Sequence, residues 1–98
     1  MATPHYISLI KWTDQGIHNI KDSPRRAEAA RKQAEQMGGK VQLWYTFGEY
    51  DIVSLSEFPD DGTAQKFLYW VGSLGNVRTT TLTAWTEEEV AKLIGQLP

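Results

Sequence analysis

The sequence predicts an α+β domain whose elements run in the order β-α-β-β-α-β-α. Three observations predict it. Four stretches carry strand patterning: His5 to Thr13, Lys40 to Phe47, Tyr50 to Ser56, and Val77 to Trp85. Two stretches between them place apolar residues at helical spacing, with start and stop signals at their ends. The two middle strands are separated only by the tight turn Gly48-Glu49, so they form a hairpin.

In the first strand Tyr6, Ser8, Ile10 and Trp12 share one face, and Ile7, Leu9 and Lys11 share the other. Thr13-Asp14-Gln15-Gly16 has turn chemistry. Ile17 to Lys21 fits a short helical turn that drops Ile17 and Ile20 onto the core. Ser23 is placed to cap the first long helix, and Pro24 suits its first position, where a missing N–H is no loss. That helix runs to Met37 and stops at Gly38-Gly39. Its stripe of Ala27, Ala30, Ala34 and Met37 lets it sit close on a sheet, with Arg25, Arg26, Arg31, Lys32 and Glu35 on its solvated faces.

The second strand sets Val41, Leu43, Tyr45 and Phe47 against Gln42, Trp44 and Thr46. Phe58-Pro59-Asp60-Asp61-Gly62 ends the third strand, and either Asp or Thr63 caps the next helix. Ala64, Phe67, Leu68 and Val71 give that helix its apolar side, and Gly72 to Asn76 ends it. A Thr-rich fourth strand follows. Thr86 then caps a short last helix with three glutamates in its first turn and Val90, Leu93, Ile94 and Leu97 on its apolar side.

Two β-α-β units joined through a central hairpin are the split, ferredoxin-like βαββαβ plan, with an extra C-terminal helix. A four-stranded antiparallel sheet then carries both long helices on one face, and 98 residues make one such domain, residues 1–98. The other face should be polar, yet both parities of the strands carry large apolar groups. A bare face holding Tyr6, Ile10, Trp12, Trp44 and Ile52 exceeds the few hundred Å² that a monomer tolerates. A second copy, sheet against sheet in a homodimer, covers it; the alternative is the C-terminal helix folded over it.

A net charge of −2 gives no basic footprint for nucleic acid, and no apolar run is long enough for a membrane. The chain has no cysteine, and Met1-Ala2-Thr3-Pro4 lacks the basic start of a signal peptide. A cytoplasmic protein is expected. His5 and His18 lack any metal-ligand spacing, no phosphate-binding glycine loop exists, and neither metal nor cofactor is expected.

Four segments resemble one known family, the GYD domain family. They are Gly48-Glu49-Tyr50-Asp51-Ile52-Val53, the stretch from Leu9 to Gly16, that from Ile20 to Arg26, and that from Leu74 to Thr79. The resemblance implies a ferredoxin-like fold that associates as a dimeric α/β barrel. It implies little chemistry, because barrels of this kind include binding modules, cofactor-free oxygenases and haem enzymes.

Asp51 is the sharpest candidate for chemistry, because a carboxylate at the start of a core strand is costly to bury alone. It is either a general base or ligand anchor, or a structural acceptor for turn N–H groups paired with Lys11 or Arg78. Tyr50 is a phenol donor or a packing group. Tyr6, Trp12 and Trp44 form either an aromatic wall for a small apolar ligand between two sheets or simply dimer core, and Lys11, Tyr50 and Arg78 complete that candidate ligand site. The expectation is a homo-oligomeric binding or assembly module. The alternative is a cofactor-independent oxygenase or isomerase for an aromatic or quinone-like substrate, with Asp51 or His5 moving the proton.

Overall fold

A computed structural model describes residues 3–98. Met1 and Ala2, half of the segment on which the signal-peptide expectation rests, lie outside the described residues. The strands are β1 (His5–Trp12), β2 (Lys40–Tyr45), β3 (Ile52–Glu57) and β4 (Val77–Ala84). The helices are α1 (Asp14–His18), α2 (Ser23–Gln36), α3 (Asp61–Ser73) and α4 (Glu87–Gly95), with a 3-10 turn at Ile20–Asp22. The sheet order is β2-β3-β1-β4 with every neighbour antiparallel, which is the ferredoxin-like arrangement expected.

Register fixes the faces. Tyr6, Ser8, Ile10 and Trp12 stand opposite Thr83, Thr81, Thr79 and Val77 on one side. On the other, Tyr6, Ser8 and Ile10 stand opposite Ser56, Ser54 and Ile52. Partners across an antiparallel pair share a face. This is the helix-covered face, for Tyr6, Ser8, Ile10, Ser54 and Ser56 are buried. The opposite face carries Ile7, Leu9, Trp44, Val53, Leu55 and Leu82. The expectation that Tyr6, Ile10, Trp12 and Ile52 lie on the bare face is therefore overturned; of that set only Trp44 does. Both faces are apolar, as expected, but the assignment of helices to faces is reversed for β1 and β3, while β2 presents Val41 and Leu43 to the helices and Trp44 to the bare face as expected.

Small serines sit among the large residues of the covered face. Ser8, Ser54 and Ser56 are buried on this face, Ser8 Oγ bonds Thr81 Oγ1 across the strands at 2.8 Å, and α2 packs on the sheet chiefly at β2. A buried hydroxyl so paired costs little. The core proper is Tyr6, Ala34, Phe58, Ala64 and Phe67, with Ala30, Met37, Val41, Trp70 and Val71 packed around it. Phe58 is the anchor, with ring centroids 5.1 Å from Phe67 and 6.4 Å from Tyr6. It continues the alternation Ile52, Ser54, Ser56 by one step, so its place under the helices follows from strand parity.

Several local expectations change. Ser23 does not cap α2; Asp22 occupies that position without a side-chain capping bond, and Ser23 Oγ instead meets Tyr45 Oη at 2.8 Å. Ile17 and Ile20 stay 48% and 38% exposed rather than reaching the core. Between β2 and β3 runs a six-residue loop, 46–51, closed by Thr46 N–H to the Asp51 carbonyl at 2.9 Å. Asp60 caps α3 by accepting Thr63 N–H. At α4 the capping box forms, with Thr86 and Glu89 bonding each other's backbone N–H.

Helix α4 does not fold over the bare face. Leu93, Ile94 and Leu97 remain 53%, 60% and 68% exposed. The radius of gyration, 14.9 Å, exceeds the about 13 Å expected for a compact chain of this length. No helix of the described residues is long and apolar enough to cross a membrane.

Candidate functional site

The four segments that carry the resemblance meet in one corner. Thr13 N–H bonds the Asn76 carbonyl at 3.0 Å, and Thr13 Oγ1 donates to the Gly75 carbonyl at 2.6 Å. Gln15 Nε2 donates to Asn76 Oδ1 at 2.8 Å. These bonds lay α1 directly against the turn before β4, and a Cβ on Gly16 would fall 2.0 Å from the Asn76 carbonyl oxygen. Glycine is required there by close approach. Arg26 reaches across from α2 to the carbonyls of Asn19, 2.8 Å, and Gly16, 3.3 Å. It is half-buried, a correction to its placement on a solvated face.

The Gly48-to-Asp51 loop locks onto the end of β1. Gly48 sits at φ +115°, in the region that favours glycine. The Asp51 N–H bonds the Ile10 carbonyl at 2.8 Å, and Asp51 Oδ2 accepts the Trp12 N–H at 2.9 Å. Its acceptor role is thus spent on β1 rather than on the turn. Among the described residues no ion pair joins Asp51 to Lys11 or Arg78. Lys11 Nζ instead lies over the Tyr50 ring, 5.2 Å from its centroid, a cation–π contact. Arg78 stands opposite Lys11 and bonds the Val77 carbonyl at 3.1 Å.

The other expected site residues are spread out. His5 opens β1 on the uncovered face, its Nε2 2.9 Å from Glu57 Oε1 and its buried Nδ1 without a partner among the described residues. His5 and Asp51 lie at opposite ends of β1, about 20 Å apart at ~3.3 Å per residue. One protomer therefore does not bring the two proposed proton carriers into one site. Tyr6 is core, its hydroxyl bonded to Asp61, and burial followed by that bond pushes its pKa up to about 12. Trp44 alone of the three wall aromatics faces the uncovered side, 52% exposed. Among the described residues no cluster of His, Asp and Glu suits a metal ion.

Trp12 instead lines a partly enclosed space on the helix side, about 170 Å³, bounded by Ile10, Leu43, Ile52, Trp70 and Val71 among others. Ser23, Arg26 and Asn76 contribute its polar lining. Every one of the four segments supplies at least one wall residue. Sequence reasoning missed Trp70 and Arg26. Trp70 was legible, standing three residues after Phe67 on the same helical side. Arg26 was not, because its role depends on where α1 ends.

Comparison with known proteins follows the same outline. A protein of Thermus thermophilus, named glutamine synthetase and cystathionine beta-lyase binding protein, is 32% identical over 96 residues, covering 96% of this chain and 98% of that protein. The crystal structure of Mycobacterium tuberculosis leucine response regulatory protein (LrpA) superposes with a TM-score of 0.61 at 18% identity, covering 85% of this chain. The chain spans about half of that structure's length, 51%. A structural-genomics protein, YJCS, superposes with a TM-score of 0.58 at 9% identity, covering 87% of this chain and 100% of that one. Those two likenesses concern the fold. The GYD domain model matches residues 6–94, nearly the whole chain, and the chain belongs to the GYD domain family.

Proposed function

We propose that this chain is a self-associating docking module: two copies join through the uncovered sheet face, and the assembly binds metabolic enzymes. The uncovered face carries the reading. Ile7, Leu9, Val53, Leu55, Leu82 and Trp44 form a continuous apolar surface that α4 leaves open. Strands about 4.8 Å apart and ~3.3 Å per residue give it a flat area of roughly 400–500 Å². A stable dimer needs about 800 Å² per partner, and the exposed apolar side of α4 supplies the remainder.

The enzyme-binding half of the reading draws on the Thermus relative, whose name carries two enzyme partners. With the sheet face taken by a second copy, the enzyme meets the outer surface. There Phe47, fully exposed at the tip of the β2–β3 loop, and Tyr69, 70% exposed on α3, are the aromatic anchors. A small ligand between the sheets has less support, since Tyr6 and Trp12 face the other way. The catalytic alternative has less again, since the Asp51 carboxylate is engaged by the Trp12 backbone N–H and His5 Nε2 by Glu57.

The test is co-elution of the purified chain with glutamine synthetase and with cystathionine beta-lyase from its own host. The reading expects a complex with at least one of them, lost in Phe47→Ser. Oligomeric chain that co-elutes with neither enzyme overturns the docking half.

A further inference from the structure

The covered side of the sheet is filled at one end and left open at the other. Where β1 begins, Ala34, Phe58, Ala64 and Phe67 close over Tyr6, and all five are buried. Toward the other end of β1 the same two helices flank the sheet, yet Trp12, Leu43, Ile52, Trp70 and Val77 are only half-buried. The side chains make the difference. Here α2 brings Ala27 and Ala30 in place of large groups, and α3 supplies Trp70 and Val71 as a wall. A space of about 170 Å³ remains among them, whereas packed interiors leave few voids larger than a water molecule.

What the space can hold follows from its walls, which are aliphatic and aromatic apart from Ser23, Arg26 and Asn76. Those three are already engaged. Ser23 Oγ pairs with Tyr45 Oη, Asn76 Oδ1 accepts from Gln15 Nε2, and Arg26 donates to the carbonyls of Asn19 and Gly16. An ordered water needs about two to four polar partners and has little to bond here. An ion would give up its hydration for nothing in return. A void of about 150 Å³ with aliphatic walls stays dry and admits benzene, so this volume suits one ring with a small substituent.

We infer that this space is a binding site for a small neutral apolar molecule, a single aromatic ring or a short branched hydrocarbon. The ligand lies among Trp12, Trp70 and the alanines of α2, and completes the burial that the protein's own side chains leave unfinished. The site is on the opposite side of the sheet from the self-association face, so either reading can fail without the other.

The experiment titrates the full chain, labelled with ¹⁵N in its indoles, separately with toluene and with benzoate, a charged molecule of similar size. The four indole N–H signals are followed by NMR. Toluene is expected to shift the Trp12 and Trp70 signals saturably and to leave those of Trp44 and Trp85 in place. Benzoate should bind at least about tenfold more weakly, because its carboxylate has to be desolvated. At a free concentration ten times its dissociation constant, toluene should raise the folding equilibrium constant about elevenfold in urea denaturation. Ala27→Leu and Ala30→Leu, each of which puts a larger side chain into the space, should weaken toluene by about tenfold or more. Absence of saturable shifts up to the solubility of toluene, shifts centred on Trp44, benzoate binding as tightly as toluene, or unchanged toluene affinity in a folded leucine variant each overturns the assignment. The comparison of the two probes on the unaltered chain needs no variant to fold.

Discussion

Leu82→Lys separates self-association from folding. Across the uncovered face the register lines up Gln42, Leu55, Ile7 and Leu82 in one row. Leu82 ends that row on the edge strand, with 49% of its surface exposed in the protomer. A lysine there keeps its ammonium in water, so the protomer should lose less than about 0.5 kcal/mol. In the dimer proposed above the same position is covered. Covering half a leucine removes roughly 90 Å² from water, worth about 2 kcal/mol at ~25 cal/mol per Å². Two-fold symmetry counts the loss twice, so the variant forfeits about 4 kcal/mol before the cost of stranding two ammonium groups. That is about a thousandfold in the dimer dissociation constant. Light scattering across a dilution series, paired with urea denaturation of the monomeric form, reads both quantities. A wild-type chain that stays monomeric at every concentration, or a variant that dimerises as well as wild type, refutes the reasoning.

Three further outcomes follow from the protomer itself. Asp51→Ala should cost about 1–2 kcal/mol by leaving the Trp12 N–H without its charged acceptor, whereas Asp51→Asn keeps an acceptor oxygen and most of the stability; equal urea midpoints for the two variants would contradict this. Tyr6 has a folded pKa of about 12 against 10.0 for the free side chain. Its neutral form is favoured by folding, so this contribution is whole below pH 10 and is lost as pH rises toward 12. The amount is about 2–3 kcal/mol, and Tyr6→Phe should flatten that part of the stability curve. Gly16→Ala should cost about 1–3 kcal/mol, with faster exchange of the Thr13 amide as the Asn76 carbonyl is pushed away.

The order of elements, the hairpin, the cap of α4 and the close seat of α2 were all legible, because each rests on local chemistry. Thr86 and Glu89 cap their helix wherever it sits, and the alanine stripe needs only a flat partner. Which face the helices cover was not legible, since it depends on register between distant strands. Reading aliphatic residues as buried points the wrong way here. Ser8, Ser54 and Ser56 lie beneath the helices, where small size and cross-strand bonding matter most, while Ile7, Leu9 and Leu55 face outward. The role of Asp51 was half legible: a local acceptor was expected, and its partner is 39 residues away in sequence on β1. The space beside Trp12 was hidden for the same reason, its walls coming from β1, α2, β2, β3, α3 and the turn into β4.

Helix α4 is nine residues long, below the roughly 12–15 at which an unsupported helix holds in water. Under the proposed self-association its order is borrowed from the second copy that meets Leu93, Ile94 and Leu97. The ellipticity of this protein should then depend on how much of it is in the tube. Dilution ought to melt the tail while the ferredoxin-like body stays intact, and a protease should find its first cut there.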